Sequence, residues 1–163
     1  MFKMNNNRIR TAALLATVLL IVSVEAIDFK DCPQSQGVTG HATSVDLTPC
    51  SAQPCNFKHG QTVNVKITFT AGNDSPSLNS TVYGYVLGIP VAFPLPNDNA
   101  CINSGIMCPI KKGQTYTYSA SFDTKPSYPE ITLVVMWKLE GAGSNEVCFT
   151  FPMSINDNPD IVG

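Results

Sequence analysis

The chain has 163 residues, and charged side chains make up only 13% of it, against roughly a quarter in ordinary soluble domains. Ten basic and twelve acidic groups leave a net charge of -2, which argues against a nucleic-acid partner, because binders of that class and size are normally basic. The place of the missing charges is taken by Thr, Ser, Asn, Gly and Pro, a composition that favours strands and turns over helices.

At the start of the chain, Lys3, Arg8 and Arg10 precede the apolar run AALLATVLLIV, which ends in Val24-Glu25-Ala26. This is the pattern of a secretory signal peptide with a small residue at the cut, so residues 1–26 are read as removed. The run is about half the length that a bilayer-spanning helix needs, and the product is expected to be soluble and exported. Residues 27–163 then form a single domain with seven basic and eleven acidic groups, long enough for one core and cramped for two.

Strands are predicted in chain order near 38–47, then over VNVKITFT at 63–70, where Val63, Val65, Ile67 and Phe69 alternate with polar residues and one face is buried. A weaker strand follows near 79–88. The stretch GIPVAFPLP begins like a buried strand, but Pro90, Pro94 and Pro96 remove ladder donors, so it is expected to leave the sheet as a stiff, extended arm. Its Phe93 either caps an open end of the core or, with Tyr128 in the SYP turn, frames the mouth of a cavity between sheets. A further strand is expected near 114–122. ITLVVMWKLE at 131–140 is apolar on both faces in its middle and suits a central strand. In EVCFTFPMSI at 146–155, Pro152 points to an edge or a bulge. The pieces AGNDSPS, PNDN, TKPSYP and GAGSN separate these runs as turns, and NDNPDIVG reads as a loose tail. Six or seven short strands at this spacing argue for an all-β sandwich of two sheets.

Six cysteines remain after the expected cleavage, Cys32, Cys50, Cys55, Cys101, Cys108 and Cys148. An even count in a secreted domain reads as three disulfides, with fifteen pairings in principle. Spacing narrows them: CSAQPC and CINSGIMC can each close on themselves, which leaves Cys32 to meet Cys148 and fasten the ends of the domain. Closing so long a loop is worth about 5 kcal/mol on the chain-entropy model. Zinc sites want closer ligand pairs, and the chain has two histidines, so no metal is expected.

Little in the chain points to catalysis. His41 and His59 lack a recognisable catalytic context and read as surface or turn histidines, and the acids lie mostly in turns. No phosphate loop, dinucleotide fingerprint or redox cysteine pair is present, so the chain is read as a non-enzyme without a cofactor. Two glycosylation acceptors occur, NDS at Asn73 and NST at Asn79, and Pro76 makes Asn79 the better one.

The order FKDC, TPCSAQPC, GQTVNVKITFT, GIPVAFPLP, SGIMCPIKKGQTYTY, SYPEITLVVMWKL and CFTFPMSI, from Phe29 to Ile155, resembles the ML lipid-recognition domain family. The resemblance includes all six cysteines in order. It implies an immunoglobulin-like sandwich of about seven strands, the same disulfide pairing, and sheets that splay to admit one lipid. It places Phe93 and Tyr128 at a tunnel entrance. Val63, Val65, Val82, Tyr85 and Val86 would line or approach the pocket, as would Val91, Pro129, Leu133, Val135 and Trp137. Where sterol-binding members carry an aliphatic residue four positions before the tyrosine, this chain has Thr124, which is expected to meet a polar head or admit another lipid shape. Vertebrate members carry a glycan acceptor on the strand matching 63–70. Here Asn64 is followed by Val65 and Lys66, which removes it and shifts weight from the lysosomal lumen to secretion.

The resemblance implies a secreted carrier that binds a sterol or similar lipid and hands it to a membrane or a receptor, working as a monomer. A fatty acid is the other ligand class; its carboxylate would stay at the mouth near Lys111, Lys112 or Lys125. An alternative is an extracellular recognition protein whose cavity senses microbial lipids or semiochemicals. A third reading, from another class, is a structural module with a solid core.

Overall fold

The computed structural model describes residues 26–158. The expected signal peptide lies outside them except for Ala26, as does the end of the expected tail. Among these residues nine strands form: β1 (Lys30–Asp31), β2 (His41–Thr48), β3 (Cys55–Phe57), β4 (Thr62–Thr70), β5 (Leu78–Val86), β6 (Ile89–Phe93), β7 (Thr115–Asp123), β8 (Ile131–Gly141) and β9 (Ser144–Ile155). They build two facing sheets, one ordered β1-β9-β8-β5-β6 with β3 parallel to β9, the other ordered β2-β4-β7. Two of the nine, β1 and β3, are the short pieces that periodicity does not reveal. Each takes its place from β9 and from a nearby disulfide rather than from its own pattern.

The cystines join Cys32 to Cys148, Cys50 to Cys55 and Cys101 to Cys108, the pairing expected from spacing. β8 lies between β5 and β9, as its two apolar faces require, and Met136 on its outer face is covered by Tyr85, whose hydroxyl meets the Met136 sulfur at 3.6 Å. Pro152 sits where the outer edge of β9 has no partner, between its pairing with β1 at Phe149 and Thr150 and with β3 from Met153 onward.

One expectation changes. Residues 89–93 do not leave the sheet: they form β6, which pairs with β5 through Val82↔Phe93, Gly84↔Val91 and Val86↔Ile89. An edge strand uses only one side of its backbone for pairing, so Pro90 is tolerated there, and the chain departs only at Pro94.

The sandwich is closed at one end and open at the other. At the closed end Gly40 and Gly72 cross so tightly that a Cβ on either would fall within 2.5 Å of main-chain atoms. The fully buried Glu146 stitches that crossing, accepting the N–H groups of Gly72 (2.8 Å) and Asn73 (3.2 Å) and the Ser144 hydroxyl (2.7 Å). From this end inward the core is solid: Val65, Ile67 and Phe69 of β4 face Leu139 of β8 and Val147 and Phe149 of β9.

Candidate functional site

Toward the open end the facing strands no longer fill the space between them completely. A cavity of about 80 Å³ lies between the sheets there. Strand alternation decides what lines it, since every second residue of each strand faces the interior. β8 supplies Leu133, Val135 and Trp137, β9 supplies Phe151, Met153 and Ile155, and β5 supplies Val82 and Gly84. The opposite wall is Leu47 of β2, Val63 of β4 and Phe122 of β7, with Phe57 of β3 at the side.

The mouth is aromatic. The Phe93 ring stands edge-on to Phe122 at 5.3 Å and to Tyr128 at 5.6 Å between centroids. Such edge-to-face pairs hold their rings at defined angles and add about 0.5–1.5 kcal/mol each beyond area burial. Trp137 is fully buried at the cavity floor, its indole N–H donating to Ser80 Oγ at 2.8 Å. Among the described residues no charged side chain lines the cavity. It offers an apolar guest apolar walls and a charged one no partner.

Eight of the residues expected at the site meet here: Phe93, Tyr128, Thr124, Val63, Val82, Leu133, Val135 and Trp137. Five do not line the cavity. Val65 is one inner position deeper, packed in the solid core. Tyr85 pairs with Val134 and so shares the outer face of the sheet. Val86 and Val91 lie on the inner face but beyond the reach of the facing sheet, and Val91 is 52% exposed. Pro129 is exposed in the turn after Tyr128.

Thr124 lines the cavity, but its hydroxyl does not turn toward a ligand. It accepts the Gln61 N–H at 3.0 Å and donates to the Lys58 carbonyl, so it ties the β7–β8 loop to the β3–β4 turn. Lys111 and Lys112 are also displaced from their expected place. Both sit at the closed end, where the Lys111 ammonium meets Asp74 at 3.0 Å and the Lys112 N–H donates to the same carboxylate at 2.8 Å. Lys125 remains in the loop at the mouth.

Sequence reasoning missed Leu47, Phe57, Gly84, Phe122, Phe151, Met153 and Ile155. Phe151, Met153 and Ile155 share one face of a recognised strand, so periodicity could have placed them. Phe57 and Gly84 carry no periodic signal.

An ML domain model matches residues 26–155. The chain belongs to the ML domain family. Among the curated members it is 40% identical over 148 residues to the NPC intracellular cholesterol transporter 2 of Mus musculus, covering 87% of this chain and 97% of that protein. It is 34% identical over 146 residues to homolog a of that transporter from Drosophila melanogaster, covering 88% and 97%. Among solved structures, a Niemann-Pick type C2 protein from Japanese carpenter ant superposes with a TM-score of 0.73 at 26% identity, covering 80% of this chain and all of that one. Chicken MD-1, solved with lipid IVa, shares the fold at 15% identity and a TM-score of 0.52.

Proposed function

We propose that this ML protein is an exported, non-enzymatic carrier that takes a sterol or similar lipid between its sheets and passes it to a membrane. The observation that carries the reading is the cavity: apolar throughout, without a charged wall, and ringed at its mouth by Phe93, Phe122 and Tyr128. The likeness to cholesterol transporters over nearly the whole chain supports the ligand class.

The cavity is smaller than the roughly 300–1,000 Å³ typical of ligand sites, so a sterol enters only by parting the sheets. Burial can drive that. A guest losing about 400 Å² of apolar surface gains on the order of 10 kcal/mol, from which association and the parting itself subtract several. Transfer has its own candidate surface. The β5–β6 hairpin projects Leu87 (98% exposed), Ile89 (66%) and Val91 (52%) beyond the facing sheet, on the strands that carry Val82, Gly84 and Phe93. An exposed apolar tip continuous with the cavity suits docking on a lipid surface.

Asn79 is the expected glycan acceptor, exposed on β5 between the buried Leu78 and Ser80. Asn73 is a poorer one, because its main chain is held by Glu146 and Ser75 of its triplet is 2% exposed.

Organic extraction of the purified, secreted protein followed by mass spectrometry tests the reading. A stoichiometric sterol or related lipid is expected, and Phe93→Ala is expected to weaken dehydroergosterol binding on the order of tenfold. A protein that carries no lipid and takes up neither sterol nor other apolar probes would be a solid structural module. Preference for bacterial glycolipid over sterol would move it to lipid recognition.

A further inference from the structure

His59, in the turn between β3 and β4, is built into the mouth. Its side chain is 17% exposed. Nδ1 lies 2.9 Å from Asp157 Oδ2, Nε2 lies 2.9 Å from the Tyr128 carbonyl oxygen, and the His59 backbone N–H donates to Asp157 Oδ1 at 2.8 Å. Both groups facing the ring are acceptors with no proton to give. A neutral imidazole has one N–H, so it leaves one of these contacts as two opposed lone pairs. The imidazolium satisfies both, with the charge-assisted bond on the carboxylate side.

What the ring holds is one jamb of the cavity. Tyr128 lines it and packs edge-on against Phe93. The same turn grips the other end of the β7–β8 loop, since Gly60 N–H donates to the Thr124 carbonyl at 2.6 Å and Thr124 N–H to the Gln61 carbonyl at 2.9 Å. The Thr124 grip uses main-chain groups and a hydroxyl, which do not titrate near neutrality. The Tyr128 grip runs through an imidazole, which does.

We propose that His59 is a positioning residue for the mouth, holding the Tyr128 side of the loop in place when its ring carries both protons and loosening it when one leaves. The proposal rests on the carrier reading for what the loosened mouth admits, though not for the loosening itself.

The ionisable groups facing the ring are Asp157 after β9, Glu130 just before β8, and Lys58, its neighbour in the turn, whose charge acts on Asp157. The hydrogen bond to Asp157 chiefly, and then that to the Tyr128 carbonyl, raise the His59 pKa above 6.5. Its bonds with His59 in turn lower the Asp157 pKa below 3.8. A raised histidine makes the grip complete below 6.5 and lost as pH rises through the folded value. A lowered carboxylate makes it present above 3.8 and lost as pH falls through its own folded value. The grip is therefore strongest between those two limits.

Hydrogen exchange of segment 124–131, corrected for intrinsic rates, tests this at about pH 5.5 and about pH 8.5. Protection in the wild type is expected to fall on the order of threefold at the higher pH. His59→Gln should be low at both, and Asp157→Asn should move the transition to lower pH. Equal pH profiles for wild type and His59→Gln would overturn the proposal. Release of dehydroergosterol is the second arm, expected to quicken at the higher pH in wild type alone. A protein that shows the exchange transition but binds no sterol keeps the latch and loses the carrier reading. One that binds sterol with no transition does the reverse.

Discussion

Gly84 is the residue whose presence the fold does not explain. It lies in the interior of β5, paired with Val135 on one side and Val91 on the other, where glycine costs about 0.5–1 kcal/mol relative to alanine. A Cβ there would meet only the Leu133 methyls, at 3.4 and 3.6 Å, which is ordinary contact. Its missing side chain is cavity. Gly84→Ala is expected to keep or raise the melting temperature, while Gly84→Leu fills the space and abolishes sterol binding in a folded protein, checked by thermal melts beside sterol titration. Thr124 carries the opposite expectation. Thr124→Val removes the acceptor for the Gln61 N–H and the donor for the Lys58 carbonyl, a loss of about 1–3 kcal/mol in chemical denaturation with little change in ligand preference.

At the level of elements, the β5–β6 hairpin separates two jobs that share its strands. Its inward residues Val82 and Phe93 line the cavity, and its tip, Leu87 and Ile89, faces solvent. The double change Leu87→Asp and Ile89→Asp is therefore expected to leave sterol affinity within about twofold, because exposed substitutions away from the core perturb little. The rate of sterol transfer between vesicles should fall on the order of tenfold, because the tip no longer enters an apolar surface. Equal loss of binding and transfer would place the tip in the site instead. In this hairpin the prolines alone do not decide where the chain leaves the sheet. Proline forbids a central strand, but whether a strand is central depends on which neighbour arrives, and no neighbour arrives beyond β6.

For the molecule as a whole, the proposed function asks one end to stay shut while the other parts. Cys32–Cys148 binds the start of the domain to β9, and its ends are 116 residues apart in sequence. Replacing both cysteines by serine is expected to cost about 4–5 kcal/mol and lower the melting temperature on the order of 10–20 °C. At the open end, the edge-on contacts of Phe93 with Phe122 and Tyr128 and the loop grips at Thr124 and His59 bridge the sheets, and these small, separable interactions allow the mouth to give.

Most of the architecture was legible in order of sequence. Alternation at 63–70 and the long runs at 131–140 and 146–155 set the strands and their buried faces, because a period of two must present one set of side chains to the core. Cysteine spacing narrowed the fifteen possible pairings toward the observed one, because CSAQPC and CINSGIMC can each close a short loop on themselves. Depth along the sandwich was decided by tertiary structure alone. Val63 and Val65 are equivalent in pattern, yet one lines a cavity and the other does not, since how completely the facing sheet fills the space opposite each is decided only when the two sheets meet. His59 and Thr124 are the same case in polar form: a turn histidine and a strand-end threonine become parts of one latch only when the β3–β4 turn, the β7–β8 loop and the end of β9 are brought together, and hydrogen bonds across such distances in sequence leave no local trace.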